Sequence, residues 1–161
     1  MSSKIFDTVI VGAGVSGISC AVELKIKKID NIAVVEKSDN FFNTIRTFYK
    51  DGKRVDKNWR NQIIELLGSI DFDGGLKEEI LDYFQNLLKK HNINPLYNSE
   101  VEKIIKNSDD IFEVHLKSNI LSKKCLEMPV IQHKSYLVLL ITNNDRLLMF
   151  KCKSLSFLFF E

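Results

Sequence analysis

Cysteine is scarce in this chain of 161 residues, and its three thiols, Cys20, Cys125 and Cys152, lie far apart and never in C-x-x-C spacing. An odd, scattered set of this kind excludes a disulfide framework, a zinc site and a dithiol redox pair, and makes a reducing compartment the expected home. A basic block is also missing. The 23 Lys and Arg against 21 Asp and Glu leave a net charge of +2 spread along the chain, so the footprint of a nucleic-acid binder is absent. Apolar runs such as Tyr136–Ile141 fall far short of the roughly 20 residues that a membrane span needs. Met1-Ser2-Ser3-Lys4 leads straight into a strand-like run, without the n-region, h-region and cleavage site of a secretory signal. A cytoplasmic protein with no membrane span, no nucleic-acid partner and no metal is expected.

What is present is ordinary globular material. With 45% hydrophobic and 27% charged residues, the chain can bury one core, and its length predicts one domain, or one domain plus a remnant of another. Ile5–Val11 is a β-branched apolar run that stops at glycine, the pattern of a strand buried on both faces of a parallel sheet. Gly12-Ala13-Gly14-Val15-Ser16-Gly17 follows at once. From Val15 to about Ile29 the apolar residues fit a largely buried helix, and Asn31–Glu36 reads as a second buried strand ending in a carboxylate.

G-x-G-x-x-G alone is a weak signal. Here it follows a strand, opens a helix, and is answered by an acid at the tip of the next strand, the combination that binds dinucleotides. Gly12 allows the tight turn, Gly14 lacks the Cβ that would keep a pyrophosphate away, and Gly17 lets helix and strand pack closely. The helix start offers free N–H groups and a positive dipole end to the phosphates. Glu36 suits the hydroxyls of an adenosine ribose and, as an anion, repels a 2′-phosphate, so NADP is not expected at this site. Cys20, among apolar neighbours on the helix, reads as core, and Asp7 as a solvated residue at a strand start.

The run Asp7–Lys25 followed by Val34-Val35-Glu36-Lys37 resembles the N-terminus of the two-dinucleotide-binding-domain flavoproteins. Within them it is most similar to the thioredoxin-reductase-like, FAD-dependent pyridine nucleotide oxidoreductases. That resemblance implies an α/β fold: a Rossmann-like FAD/NAD(P)-binding domain with a parallel sheet and a small antiparallel β-ribbon. It also implies that Gly12, Ala13, Gly14, Val15, Ser16 and Gly17 hold the ADP half of FAD, with Glu36 and its neighbour Lys37 at the ribose. It is highly specific over residues 5–37 and looser over about 38–116.

Between Lys37 and Phe72 periodicity is poor, and Phe41, Phe42, Phe48, Tyr49 and Trp59 stand among polar residues. Two readings stay open: a flavin-facing loop region, as the resemblance implies, or a surface excursion anchored by a few aromatics. Many relatives carry paired glycines shortly after the strand-end glutamate, whereas this chain has Ser38-Asp39-Asn40-Phe41-Phe42-Asn43. That departure removes the support the resemblance would give Thr44, Arg46 and Thr47 as flavin contacts. Asp51-Gly52 reads as a tight turn and Asp73-Gly74-Gly75 as a break before an amphipathic helix from Leu76 to His91, whose end charges suit its dipole. His91 reads as a cap. Asn94–Asn98 reads as the third parallel strand, and Val101–Ile105 and Ile111–Leu116 as an antiparallel pair with His115 facing solvent. In the resembled family the backbone near the start of that ribbon, here about Val101, often touches the adenine.

Beyond the ribbon the resemblance fades. Relatives continue into an Ala-Thr-Gly or Ala-Ile-Gly turn, a second G-x-G-x-x-G for NAD(P)H and a closing Gly-Asp, and none is found here. Residues 1–126 therefore read as the FAD/NAD(P)-binding domain, with an irregular region over 37–72. Residues 127–161 read as an atypical apolar tail from a truncated or frameshifted gene that adds little to the sheet. A self-contained fold in which the tail supplies a further strand or two is the alternative. The leading functional reading is an FAD-binding oxidoreductase domain that would accept hydride from NAD(P)H in a complete homologue. A single-Rossmann NAD-dependent dehydrogenase and a non-catalytic nucleotide-binding module are the alternatives. The partner is a dinucleotide, a homodimer is left open, and no catalytic residue is named.

Overall fold

The computed structural model describes residues 5–56, 68–106, 108, 112–117, 130–139, 142–143 and 146–147. Strand β1 (Ile5–Val11), helix α1 (Val15–Ile26) and strand β2 (Ile32–Val35) open the fold as a βαβ unit in which β1 and β2 pair in parallel, Thr8 with Ile32 through Val11 with Val35. Strand periodicity sorts their side chains onto two faces. Ile10 and Val34 join Ile18, Ala21, Val22 and Leu24 of α1 in one core, while Val9, Ala33 and Val35 join Phe6, Val114 and Leu116 in a second on the other side. Both faces of β1 and β2 are covered, which is why these strands are apolar without alternation.

Helix α1 ends three residues earlier than its apolar pattern predicts. Lys28 adopts φ 64°, its N–H donates to the Lys25 carbonyl at 3.0 Å, and the Ile29 N–H donates to the Leu24 carbonyl at 2.9 Å, a left-handed stop that satisfies the last carbonyls. Ile29 still packs on the core, from beyond the helix.

A short helix α2 (Asn43–Phe48), strand β3 (Arg54–Asp56) and strand β4 (Gly74–Leu76) follow, with β3 and β4 antiparallel. The Asp73-Gly74-Gly75 break thus enters a small sheet. The Asp51-Gly52 turn is present between α2 and β3, with Gly52 at φ 69°; its N–H donates to Glu78 Oε1 at 3.1 Å, which ties this turn to the next helix. That helix, α3 (Lys77–Lys90), buries Ile80, Phe84 and Leu88 at helical spacing against the α1 core. His91 is its C-cap, as expected, and Asn92 at φ 50° turns the chain out.

The expected third strand is reduced to one bridge. Leu96 donates to the Val34 carbonyl at 2.7 Å and accepts from the Glu36 N–H at 2.9 Å, making a parallel contact with Val35. Pro95 has no N–H to extend the ladder, and Asn98 at φ 53° bends the chain away.

Strands β5 (Val101–Lys106) and β6 (Phe112–Leu116) form the antiparallel ribbon. The expectation that His115 faces solvent is corrected: its side chain is only 14% exposed, with Nε2 3.5 Å from Glu113 Oε2. The cause is position, because β6 is an inner strand. Strand β7 (Val130–Leu139) lies between β1 and β6 in a five-stranded sheet ordered β2-β1-β7-β6-β5, parallel to β1 and antiparallel to β6. This differs from the expectation of a tail that adds little to the sheet. The last four residues of β7, Tyr136–Leu139, come from the apolar run and pair with Thr8–Val11 of β1. The Leu155–Phe160 run and the 118–129 connection lie outside the described residues.

Candidate functional site

The C-terminal tips of β1 and β2 meet where the strand order changes direction, with β2 on one side of β1 and β7 on the other, the place at which open α/β sheets take ligands. The glycine turn sits there. Gly12 has φ 100° and donates its N–H to the Val35 carbonyl at 2.7 Å, so the chain leaves β1 in a conformation that favours glycine. At Gly17 a Cβ would run into the Gly12 carbonyl oxygen. At Gly14 it would meet nothing within 4 Å. Gly17 is therefore required by the protein, whereas nothing in the fold asks for glycine at position 14.

Gly14, Val15 and Ser16 are exposed at the start of α1. No side chain caps this helix and its first turn holds no acidic residue, so its N–H groups and dipole are directed at open space. Ala13 is different. It is fully buried, its N–H donates to Glu36 Oε2 at 2.7 Å, and its carbonyl accepts from the Phe42 N–H at 3.0 Å. Both of its backbone groups are engaged inside the protein.

Glu36 is 9% exposed. Its second oxygen, Oε1, accepts from the Ser38 N–H at 2.9 Å, and its carbonyl accepts from the Ser99 N–H at 2.8 Å. A carboxylate offers about four lone-pair positions, so each oxygen retains capacity for another donor. Lys37, next along, is exposed. Val101, like Val11, is partly buried and packs against the second core, to which Val9 and Val35 belong.

Several residues here escape a reading by motif. Phe42 adopts φ 56°, in the left-handed region, while almost wholly buried, its ring 4.5 Å from that of Phe84 and 5.3 Å from that of Phe41. A phenylalanine there runs against local preference, and only its tertiary contacts explain it. Arg46 donates from Nε to the Phe41 carbonyl at 2.8 Å, with its guanidinium carbon 4.5 Å from the centre of the Phe41 ring. Tyr97 follows the Leu96 bridge, and its phenol feels the charges of both Arg46 and Glu36. Burial pushes its phenol above the ordinary value, the Glu36 charge adds to the rise, and Arg46 and the Phe41 backbone oppose it. The aromatics of the irregular region thus divide: Phe41 and Phe42 are core, Phe48 is 76% exposed, and Trp59 lies outside the described residues.

Among the described residues no group of three or more His, Cys, Asp or Glu is placed to hold a metal ion, and no helix is long and apolar enough to cross a membrane. Cys20 is buried in the α1 core.

Solved structures share this fold. The bacillithiol disulfide reductase Bdr of Staphylococcus aureus is similar at 19% identity and a TM-score of 0.60, over 84% of this chain and 38% of that one. A polycyclic ketone monooxygenase from Thermothelomyces thermophila is similar at 18% and 0.65, over 86% of this chain and 23% of that one. OTEMO, solved in complex with FAD and NADP, is similar at 17% and 0.58, over 86% and 26%. The chain therefore spans less than two fifths of the length of each. No curated protein matches it by sequence. Residues 9–126, which hold the glycine turn, Glu36, the Phe41–Arg46 segment and the ribbon, match the profile of the pyridine nucleotide-disulphide oxidoreductases, and the chain belongs to that family.

Proposed function

We propose that this chain binds FAD at the β1–α1 turn and forms the flavin-holding part of an oxidoreductase that takes its electrons from NAD(P)H. The observation that carries the reading is an exposed, uncapped helix start beside a position where a Cβ would meet only open space, facing a buried carboxylate on the neighbouring strand. An anionic pyrophosphate suits the first feature and a ribose suits the second. A turn that merely packed a βαβ unit would need glycine at 12 and 17 but not at 14.

The residues divide the work. The N–H groups of Gly14, Val15 and Ser16 are the phosphate donors. Ala13 is a positioning residue, because its N–H and carbonyl hold the turn to Glu36 and Phe42. Glu36, already accepting two backbone N–H groups, directs its remaining lone pairs to the ribose hydroxyls. Its charge disfavours a 2′-phosphate at this site. Bound flavin would supply the hydride chemistry, and the protein would supply position and electrostatics. The sequence holds one dinucleotide fingerprint, so the nicotinamide donor needs a site other than this turn.

The test is direct. The purified full chain is expected to take up FAD with a visible flavin spectrum and to bind FAD more tightly than FMN, which lacks the adenosine. A chain that takes up neither FAD nor ADP in calorimetric titration would overturn the reading. NAD bound more tightly than FAD would replace it with the dehydrogenase alternative.

A further inference from the structure

The dinucleotide site described so far relies on backbone dipoles and one carboxylate, and it lacks a cationic side chain for a ligand that carries two negative charges on its pyrophosphate. Arg46 is placed to be that cation. One peptide group, the link between Phe41 and Phe42, joins it to the turn: the carbonyl accepts from Arg46 Nε at 2.8 Å, and the N–H donates to the Ala13 carbonyl at 3.0 Å. Those two bonds across a single planar peptide hold Nε within roughly 8 Å of the Ala13 oxygen. Ala13 directly precedes the Gly14 N-cap, so this one peptide keeps the guanidinium beside the exposed start of α1.

The guanidinium is also held in orientation. Nε is fixed by the Phe41 carbonyl, the group lies over the buried Phe41 ring, and the Arg46 backbone N–H is bonded to the Phe42 carbonyl at 2.9 Å. Its two terminal nitrogens have no acceptor among the described residues. Arginine with Nε engaged keeps a planar pair of donors for a phosphate, and little side-chain entropy remains to be lost. The strand tips are close in charge as well, since the Tyr97 phenol, one residue past the Leu96 bridge to Val35, feels both Arg46 and Glu36.

We propose that Arg46 receives the pyrophosphate of the bound dinucleotide through its terminal guanidinium nitrogens, completing a site whose other phosphate donors are backbone N–H groups. The proposal rests on the dinucleotide reading above. Its test compares the full chain with Arg46→Gln and Arg46→Lys, titrated with FAD, ADP and adenosine, the last by ligand-observed NMR, at two ionic strengths. Arg46→Gln is expected to weaken FAD and ADP at least tenfold, to leave adenosine unchanged, and to flatten the salt dependence of FAD binding. Arg46→Lys keeps the charge but loses the paired donors and the Nε bond, so an intermediate loss for FAD and ADP is expected. If Arg46→Gln fails to fold, by thermal melting, Arg46→Lys decides alone: a loss confined to the phosphate-bearing ligands supports the proposal. Affinities for FAD unchanged in the folded variants would overturn Arg46 while leaving the site standing. Equal loss for adenosine would show that Arg46 acts through the fold. Failure of the wild-type chain to bind FAD or ADP would overturn both readings.

Discussion

From Ile5 to Glu36 the residues of the strands and of the glycine turn stand where their own chemistry favours them, with Lys28 at φ 64° the exception, whereas from Phe41 to Leu76 several stand where it does not. β-Branched residues build β1 and β2, glycine takes the φ 100° position at Gly12, and a carboxylate ends β2. In the second region a buried phenylalanine occupies φ 56°, and a strand is made from Gly74, Gly75 and Leu76. Two sources of order account for the contrast. The βαβ unit is specified by local rules that repeat wherever a dinucleotide turn is built. The insert is specified by partners distant in sequence: Phe84 for Phe42, Ala13 for the Phe42 N–H, Glu78 for the Gly52 N–H.

The sharpest break of the comparison lies within the glycine motif itself. Gly17→Val drives a side chain into the Gly12 carbonyl, backbone against which nothing flexible can yield, so a loss of more than about 4 kcal/mol is expected, with a fall in Tm of roughly 10 °C or outright unfolding. Gly14→Val meets open space at φ −78° and should shift stability by no more than about 1 kcal/mol while reducing FAD affinity at least about a hundredfold. Urea unfolding and calorimetric titration separate the two. A Gly14→Val chain that binds FAD normally would show that the space beside Gly14 is not ligand space.

Phe42 offers the next largest effect. Truncating this buried ring to alanine leaves a cavity against Phe41 and Phe84 and is expected to cost about 3–5 kcal/mol. The conformation gives a finer signature. Glycine ordinarily costs about 0.5–1 kcal/mol more than alanine because its unfolded chain is freer. At φ 56° the alanine Cβ is penalised instead, so Phe42→Gly should be no less stable than Phe42→Ala. The usual order, with glycine clearly worse, would mean that position 42 is not left-handed in solution.

Glu36 joins the two regions, since its carboxylate holds Ala13 of the turn and Ser38 at the entry to the insert. Glu36→Ala leaves both N–H groups without their acceptor, at about 1–3 kcal/mol of stability, and should weaken FAD about tenfold or more by loss of the ribose contact. FMN affinity should hardly change. If FMN and FAD weakened together, the carboxylate would be acting only as a clamp on the turn.

The boundary of what the sequence discloses follows the same division. The β1–α1–β2 unit, α3 and the ribbon are legible because period, caps and turn residues are all local. The position of β7 is not, because an apolar run of the Tyr136–Ile141 kind says that a strand must be covered and is silent on which neighbours cover it. The partial burial of His115 is hidden for the same reason, since the ribbon's own pattern does not show that β7 adds a second neighbour to β6. At the site, Gly12, Gly14, Gly17 and Glu36 follow from the motif, but the double use of Glu36 by backbone N–H groups and the Phe41–Phe42 link to Arg46 do not. They depend on long-range bonds for which no residue spacing is a signal.

The smallest expected effect concerns Tyr97, which stands on the insert side of the site. Burial raises its phenol above the ordinary value of 10.0, with Glu36 adding to the rise and Arg46 opposing it. A group of this kind binds its proton more tightly when folded, so the stability it contributes is fully present below the unfolded value and is lost as pH climbs through the folded one. The wild-type chain should therefore lose stability from about pH 10 upward more steeply than Tyr97→Phe, which has no phenol to ionise, while below pH 9 the two curves run parallel. Tyr83 is raised as well, by burial first and then by Asp71, so Tyr83→Phe should change the alkaline profile in the same sense and serves as the control for a phenol away from the turn. Bound FAD distinguishes them. Phosphate held at Arg46 would offset the guanidinium charge that stabilises the Tyr97 phenolate, so ligand should steepen the alkaline loss in the wild-type and Tyr83→Phe chains and leave Tyr97→Phe unaffected. An FAD effect of equal size in all three would place the ligand away from Tyr97 and Arg46, and would count the whole Phe41–Leu76 region as scaffold.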